Sequence, residues 1–408
     1  MKLPLNYLAF IIPVFFIFLL LEYKLAKRKK KEYYFKHESS VANVSIGIAE
    51  RLINLFVAAG FYQVFDWIYT NYAILPIPNS WWVWIILMLA TDFLWYWYHR
   101  LGHEVNFLWA AHIVHHQSEE FNLTVSARIT TLQALIRNIF YAVLPLIGFH
   151  PVMVFTILLV HGAYSFFIHT QLVGKLGWLE HILITPSLHG VHHASDEKYL
   201  DKNYGDVFTF WDKLFGTFQL EEEKPNYGLT HPLKSYSFLW QHFHYYLELI
   251  EACSRVKGFQ QKCRIIFGSP AILDQDIRPA LEKRFLMQGH KDNPQFKIKN
   301  YLNAQVIFSI LLLTGFTAWF PVLGTVDKLF IAATVLLTLV NCGALMEQRK
   351  YIYELECIRV ILLLSYMLGK AGIFEWIILP AVVMLLMEQY FQLSKLYYRY
   401  VLRDETLY

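Results

Sequence analysis

The sequence has 408 residues, of which 56% are hydrophobic, 17% aromatic and 17% charged, the last well below the roughly 25% usual for soluble domains. That make-up excludes a string of soluble domains, and a net charge of only +4, its lysines and arginines gathered between apolar stretches, excludes a nucleic-acid-binding face. Four scattered cysteines (Cys253, Cys263, Cys342, Cys357) include no C-x-x-C pair and read as reduced or buried thiols without a disulfide framework.

Leu3 to Leu21 carries no charge and is long enough to cross a bilayer core at about 1.5 Å per residue. The run is too long for a signal peptide and no small-residue cleavage site follows it. Lys24-Leu-Ala-Lys27-Arg28-Lys29-Lys30-Lys31 comes next, the pattern of a cytoplasmic stop to an uncleaved anchor. A second apolar segment spans Val44 to Thr70 and contains Arg51 and Asp66. Asn71 to Ser80, with Pro76 and Pro78, reads as a turn on the opposite side, and Trp81 to Tyr98 returns the chain. Asn138 to Gly174 is charge-free and broken by Pro145, Gly148 and Pro151, which predicts a helical hairpin. Residues from about Ala194 to Asn300 are polar, a cytoplasmic cap followed by a solvated linker. Asn300 to Val326 and Leu329 to Met346 make two further spans. Val360 to Met387, interrupted by Lys370, Gly372 and Glu375 and followed by a basic tail (Lys395, Arg399, Arg403), reads as a short hairpin. The expected fold is all-α, a multi-pass transmembrane helical bundle with a cytoplasmic histidine-rich di-metal cap. Its expected parts are an anchor and basic segment (1–43), a catalytic domain (44–232), a linker (233–300) and C-terminal transmembrane helices (301–408).

Eight of the seventeen histidines fall in three clusters: His99 and His103; His112, His115 and His116; His189, His192 and His193. On a helix, H-x-x-x-H puts two imidazoles on one face, and H-x-x-H-H puts three there, expected to point the same way. On the topology above, all three clusters lie at the feet of helices on one side of the membrane. Eight neutral imidazoles exceed the roughly four to six ligands of one metal and suit two. Zinc would be over-supplied, and the Glu-x-x-His pairs of soluble di-iron bundles are absent. Two redox-active irons fit better, since imidazole suits iron and open coordination positions admit oxygen. Placed under a cavity at the bilayer surface, such a site would act on an aliphatic lipid, whose C–H bonds offer acid–base chemistry nothing to titrate.

His99-Arg-Leu-Gly-His103, His112-Ile-Val-His115-His116 and His189-Gly-Val-His192-His193 resemble the fatty acid hydroxylase / sterol desaturase superfamily. His103-Glu104-Val-Asn106, Trp109-Ala-Ala-His112, Ser118-Glu119-Glu120, Ile168-His169-Thr170, Thr185-Pro186-Ser187, Asp201-Lys-Asn203-Tyr204 and Trp211-Asp212-Lys-Leu-Phe215-Gly216 are similar to its alkylglycerol monooxygenase branch. The resemblance implies a di-iron, O2-dependent monooxygenase with the eight cluster histidines as ligands and His169 as a ninth. It also implies that Glu104 is a candidate catalytic residue, positioning a pterin or steering a hydrogen bond, and that Asn203 and Asp212 orient ligands. In that branch, oxidation next to an ether oxygen gives a hemiacetal that collapses to an aldehyde and a glycerol derivative, with electrons from tetrahydrobiopterin. The sequence contains neither a G-x-G-x-x-G loop nor an H-P-G-G haem motif, so the donor is external, a pterin or a redox protein. Two other readings stay open: a sterol or fatty-acyl hydroxylase or desaturase, and a metal transporter. Transport would favour ionisable residues near the bilayer midplane rather than at helix feet. His161 sits on the same hairpin arm as His169, two turns earlier. His37, His150, His181, His231, His242, His244 and His290 read as structural or surface residues.

Overall fold

A computed structural model of the chain describes residues 6–286, 299–347, 349 and 351–401; Arg403 and His290 lie outside them. Among the described residues there are helices and no strand, only the isolated bridges Leu183–Phe208 and Ala194–Tyr227. All four cysteines are free thiols. The chain divides into a larger unit, Pro13–Lys234 with Gln241–Phe285, and a smaller one made of Met1–Ile12, Ser235–Trp240 and Leu286–Tyr408.

Among the described residues, four helical segments are long and apolar enough to cross a membrane: Leu8–Arg28, His37–Tyr72, Lys299–Trp319 and Thr325–Met346. The chain is therefore a multi-pass membrane protein. In the larger unit, α1 (Ile11–Arg28) ends in Lys27 and Arg28, where cations complement the helix dipole. The second helix, α2 (His37–Tyr72), starts seven residues before the apolar segment in the sequence. Its first turns carry Ser39, Asn43 and Ser45, which lower the hydropathy yet are buried against protein. Asn43 Nδ2 donates to Thr124 Oγ1 at 3.0 Å, and Ser39 and Ser118 share a 3.3 Å hydroxyl contact. At 36 residues, α2 is about 54 Å long, well beyond the roughly 30 Å of a bilayer core.

Helix α3 (Trp81–Glu104) does not stop at its aromatic run but continues through His99 and His103. It is followed by α4 (Asn106–His116), α5 (Thr131–Tyr141), α6 (Val143–Ile147) and α7 (Pro151–Phe167). The expected hairpin is α5–α6 against α7, turning at Gly148–His150. Gly148 has φ +127° and a Cβ there would lie 2.0 Å from Leu75 O, so only glycine fits. The turn closes on the α2–α3 loop, where Ile74 N donates to Leu146 O at 2.9 Å and Leu75 N to Ile147 O at 3.0 Å. Both turns therefore lie at one end of the unit, and every histidine cluster lies at the other. Leu87, Trp95, Tyr98, Ile136, Tyr141, Val154 and Ile157 fill the space between α3, α5 and α7.

The cap is irregular, with short helices α8 (Pro186–His192) and α9 (Phe210–Phe215). The segment expected to be a polar linker carries three helices, α10 (Phe238–Arg255), α11 (Phe259–Phe267) and α12 (Ile277–Phe285). In the smaller unit, α13 (Lys299–Trp319) and α14 (Thr325–Met346) form one antiparallel pair. The next, α15 (Ile352–Lys370) with α16 (Leu379–Phe391), is the short hairpin, and α17 (Leu393–Val401) ends the described chain.

Candidate metal centre

Nine imidazoles from four chain segments converge at the cap end of the larger unit. They form two sets, His99, His103, His112, His116 and His192 in one and His115, His169, His189 and His193 in the other. Within each set the candidate ligand atoms lie within 4.8 Å of one another. The sets do not follow the sequence clusters. In each H-x-x-H-H the outer pair, four residues apart, belongs to one set, while the histidine at the third step crosses to the other. His112 and His116 share the first set and His115 joins the second; His189 and His193 share the second and His192 joins the first. The expectation that each triplet points one way is thus corrected. Positions i and i+4 lie nearly over each other, whereas i+3 is rotated to the opposite side of that line, which lets one helix serve two centres. The sets touch through stacked His116 and His193, whose ring centroids are 4.4 Å apart.

Backbone carbonyls fix the ring tautomers. His99 Nδ1 donates to Tyr204 O at 2.8 Å, His169 Nδ1 to Ser165 O at 2.7 Å, His192 Nδ1 to Lys202 O at 2.9 Å and His115 Nδ1 to Arg128 O at 3.3 Å. A carbonyl only accepts, so each of these nitrogens carries the ring's N–H. Burial holds the rings of the cap neutral: it pushes His112, His115, His116, His189 and His193 well below the usual imidazole range, His192 down to about 4 and His169 down to about 3. A neutral ring with its hydrogen on Nδ1 has a bare lone pair at Nε2. His115 Nε2 and His169 Nε2 are two such atoms, facing each other at 3.2 Å. No hydrogen bond can join them; a cation between them can. Two nitrogens each about 2.1 Å from one metal ion, at tetrahedral to right angles, sit about 3.0 to 3.4 Å apart. The Nε2 atoms of His103, His192 and His193 are likewise buried with no hydrogen-bond partner. An all-imidazole donor set of this kind fits a first-row transition metal in each set.

A model of the family described as "Fatty acid hydroxylase" matches residues 84–217, which span every one of these histidines. Alkylglycerol monooxygenase of Homo sapiens is 33% identical over 359 residues, covering 86% of this chain and 80% of the human protein. The Danio rerio alkylglycerol monooxygenase is 33% identical over 364 residues with the same coverage of both chains. The chain belongs to the alkylglycerol monooxygenase family. An ornithine lipid hydroxylase of Rhizobium tropici is 31% identical over a shorter stretch, 33% of this chain and 41% of that protein. No solved structure matches the chain.

In this alkylglycerol monooxygenase homologue, the loop that follows α8 supplies the carbonyls that orient His99 and His192. Asn203, in the left-handed region at φ 54°, donates from Nδ2 to Leu188 O at 3.0 Å and Gln219 O at 2.7 Å. Asp212, from α9, accepts from Tyr204 N at 2.7 Å, Gly205 N at 2.8 Å and Thr217 Oγ1 at 2.7 Å. Both therefore hold the strip from Lys202 to Gly205, and through its carbonyls they reach His192 and His99. Burial raises the Asp212 carboxyl to about 6, outweighing the hydrogen bonds it accepts. A Cβ on Gly205 would lie 2.6 Å from Phe208 O and 2.8 Å from Asp212 Oδ2. Gly205→Ala is expected to cost about 1–3 kcal/mol, read as a lower thermal midpoint of the detergent-solubilised protein; an unchanged midpoint would show that the strip yields freely.

Glu104 sits at the exposed end of α3, where Arg100 Nε donates to its Oε1 at 2.9 Å, and it belongs to neither histidine set. Arg128, which the sequence reading passed over, is buried behind His115. Its Nε donates to Val114 O at 2.5 Å, one amino group to Asn43 Oδ1 at 2.8 Å and the other to Gln117. Nothing in its sequence context distinguishes this loop arginine from a solvated one. Asp92 is a second such residue, although a carboxylate inside an aromatic span is by itself a signal.

Proposed function

We propose that the chain is a membrane lipid monooxygenase that holds one iron in each histidine set and acts on an alkylglycerol, an ether lipid. The bare nitrogens of His115 and His169, 3.2 Å apart among nine converging imidazoles, carry the reading together with 33% identity to human alkylglycerol monooxygenase. His99, His103, His112, His116 and His192 would hold the first iron, and His115, His169, His189 and His193 the second. Bound there, iron with O2 and an external reductant supplies oxidation of an unactivated C–H bond. The carbonyls of Tyr204, Arg128, Ser165 and Lys202 keep four rings in the ligating tautomer. Burial of the rings keeps bulk water from their metal-binding nitrogens. Hydroxylation of the carbon beside the ether oxygen yields a hemiacetal, which collapses to an aldehyde and a glycerol derivative. The reductant is tetrahydrobiopterin or a redox protein.

The active face is assigned to the cytoplasmic side, because the basic run Lys24 to Lys31 follows Glu22, which accepts from Thr170 Oγ1 beside His169 and from Leu123 N, at the histidine end of the unit. The membrane would be the endoplasmic reticulum in a eukaryote and the inner membrane in a bacterium. Residues 44–232 are taken as the catalytic part.

Purified protein in nanodiscs, given an alkylglycerol, O2, ferrous iron and tetrahydrobiopterin, is expected to release a fatty aldehyde. Oxidation of a sterol or fatty-acyl lipid with the alkylglycerol left intact would move the chain to a sister activity. Oxygen-independent metal flux with no lipid product would make it a transporter. Glu104→Ala is expected to lower turnover while leaving bound iron at the wild-type level; equal loss of both would make Glu104 a structural residue.

A further inference from the structure

Below the centre lies a second buried group of ionisable side chains that the proposed chemistry does not use. His161, on α7, has Nε2 at 3.0 Å from Asp92 Oδ1 on α3 and Nδ1 at 2.8 Å from Asp206 Oδ2 in the cap loop. All three residues are at most 3% exposed. Asp92 further accepts from Val207 N at 2.9 Å, Phe208 N at 3.1 Å and Trp211 Nε1 at 3.0 Å. A neutral imidazole has one N–H, so facing carboxylates at both nitrogens it would set a lone pair against one of them. The imidazolium presents positive charge to both: Nε2–H hydrogen-bonds Asp92, while Asp206, whose oxygens have no hydrogen-bond partner, lies at ion-pair distance from Nδ1.

Each member of this group stands a short, rigid distance from the centre. Asp92 is seven residues, about two turns, before His99 on the same helix. His161 is eight residues before His169, and Asp206 is two residues after Tyr204, whose carbonyl orients His99. Trp95 fills the gap, its ring centroid 5.4 Å from that of His99 and 5.5 Å from that of His161. We infer that His161 is a positioning residue: clamped between Asp92 and Asp206, it sets the register at which α3, α7 and the cap loop meet, and so the spacing of the two histidine sets. A single charged pin suits this task because α3 carries ligands of the first set and α7 leads into a ligand of the second. An apolar contact between the two helices would tolerate a slip that a buried charge hydrogen-bonded to Asp92 and paired with Asp206 does not.

The inference rests on the iron reading above, and iron binding separates the two. Wild-type protein reconstituted with ferrous iron is expected to bind about two ions per chain; none bound would sink the iron reading itself. His161→Ala is expected to weaken binding about 10- to 100-fold and to change the Mössbauer spectrum of the iron that remains. Wild-type affinity with an unchanged spectrum would overturn the positioning role. If His161→Ala fails to accumulate in membranes, Asp206→Asn and Asp206→Leu decide. The asparagine can donate to a neutral ring at Nδ1 while Nε2–H stays on Asp92, so it keeps the pin and its iron. The leucine cannot, and is expected to lose iron; equal binding by the two variants would refute the inference.

Discussion

Replacing His115 with alanine is expected to lower lipid oxidation at least about 100-fold and to release iron, with the protein still inserted in membranes. The set that contains His115 has four members, so its loss leaves three. It also removes the ring facing His169 Nε2 at 3.2 Å, leaving that nitrogen, on a ring held by Ser165 O, with His189 Nε2 alone at 2.9 Å. His192→Ala should act through the other set, where four of five rings remain, yet it also frees the Lys202 carbonyl that its Nδ1 engages. His103→Ala, in the same five-membered set, removes a ring with no such carbonyl contact and is expected to be the mildest of the three. Iron per chain and aldehyde release measured on the same preparations check this order. Full activity in His115→Ala would remove it from the ligands, and a larger loss in His103→Ala than in His115→Ala would refute the division into five and four.

Metal-free protein is expected to lose its cap on acidification from pH 7 to about 5.5. An unfolded imidazole takes up a proton near pH 6.5. Burial holds the folded rings of His112, His115, His116, His189 and His193 far below that, with His192 at about 4 and His169 at about 3. Below pH 6.5 the unfolded chain therefore binds protons that the folded chain refuses, and stability falls as pH falls. One pH unit below 6.5 each ring that stays neutral in the folded chain contributes about 1.4 kcal/mol to this loss, so a few such rings already offset a sizeable part of a domain's stability. The stability is complete above about pH 6.5 and drains away toward pH 4. A metal ion occupies the lone pairs that protons would take, so loaded protein should hold to lower pH. Tryptophan fluorescence followed through an acid titration, with and without chelation, measures the gap between the two midpoints. Coincident midpoints would mean that the rings do not bind the metal.

A charge-free run, a proline–glycine break and two H-x-x-H-H spacings are local properties, and they determined the membrane class, the hairpin around Gly148 and the eight cluster histidines before any contact was known. His169 and the support from Asn203 and Asp212 came by resemblance, and the geometry places His169 against His115 and His189. Tertiary structure alone decided which histidine joins which set, because rotation about the helix axis sends the i+3 ring to a partner on another segment. It alone decided that polar Ser39 and Asn43 continue α2, since their hydrogen-bond partners lie some eighty residues away in the chain. The Asp92–His161–Asp206 group is of the same kind. Asp92 stands out in its aromatic span, but nothing in the sequence pairs it with His161 and Asp206; only packing three segments together forces one imidazole between two carboxylates.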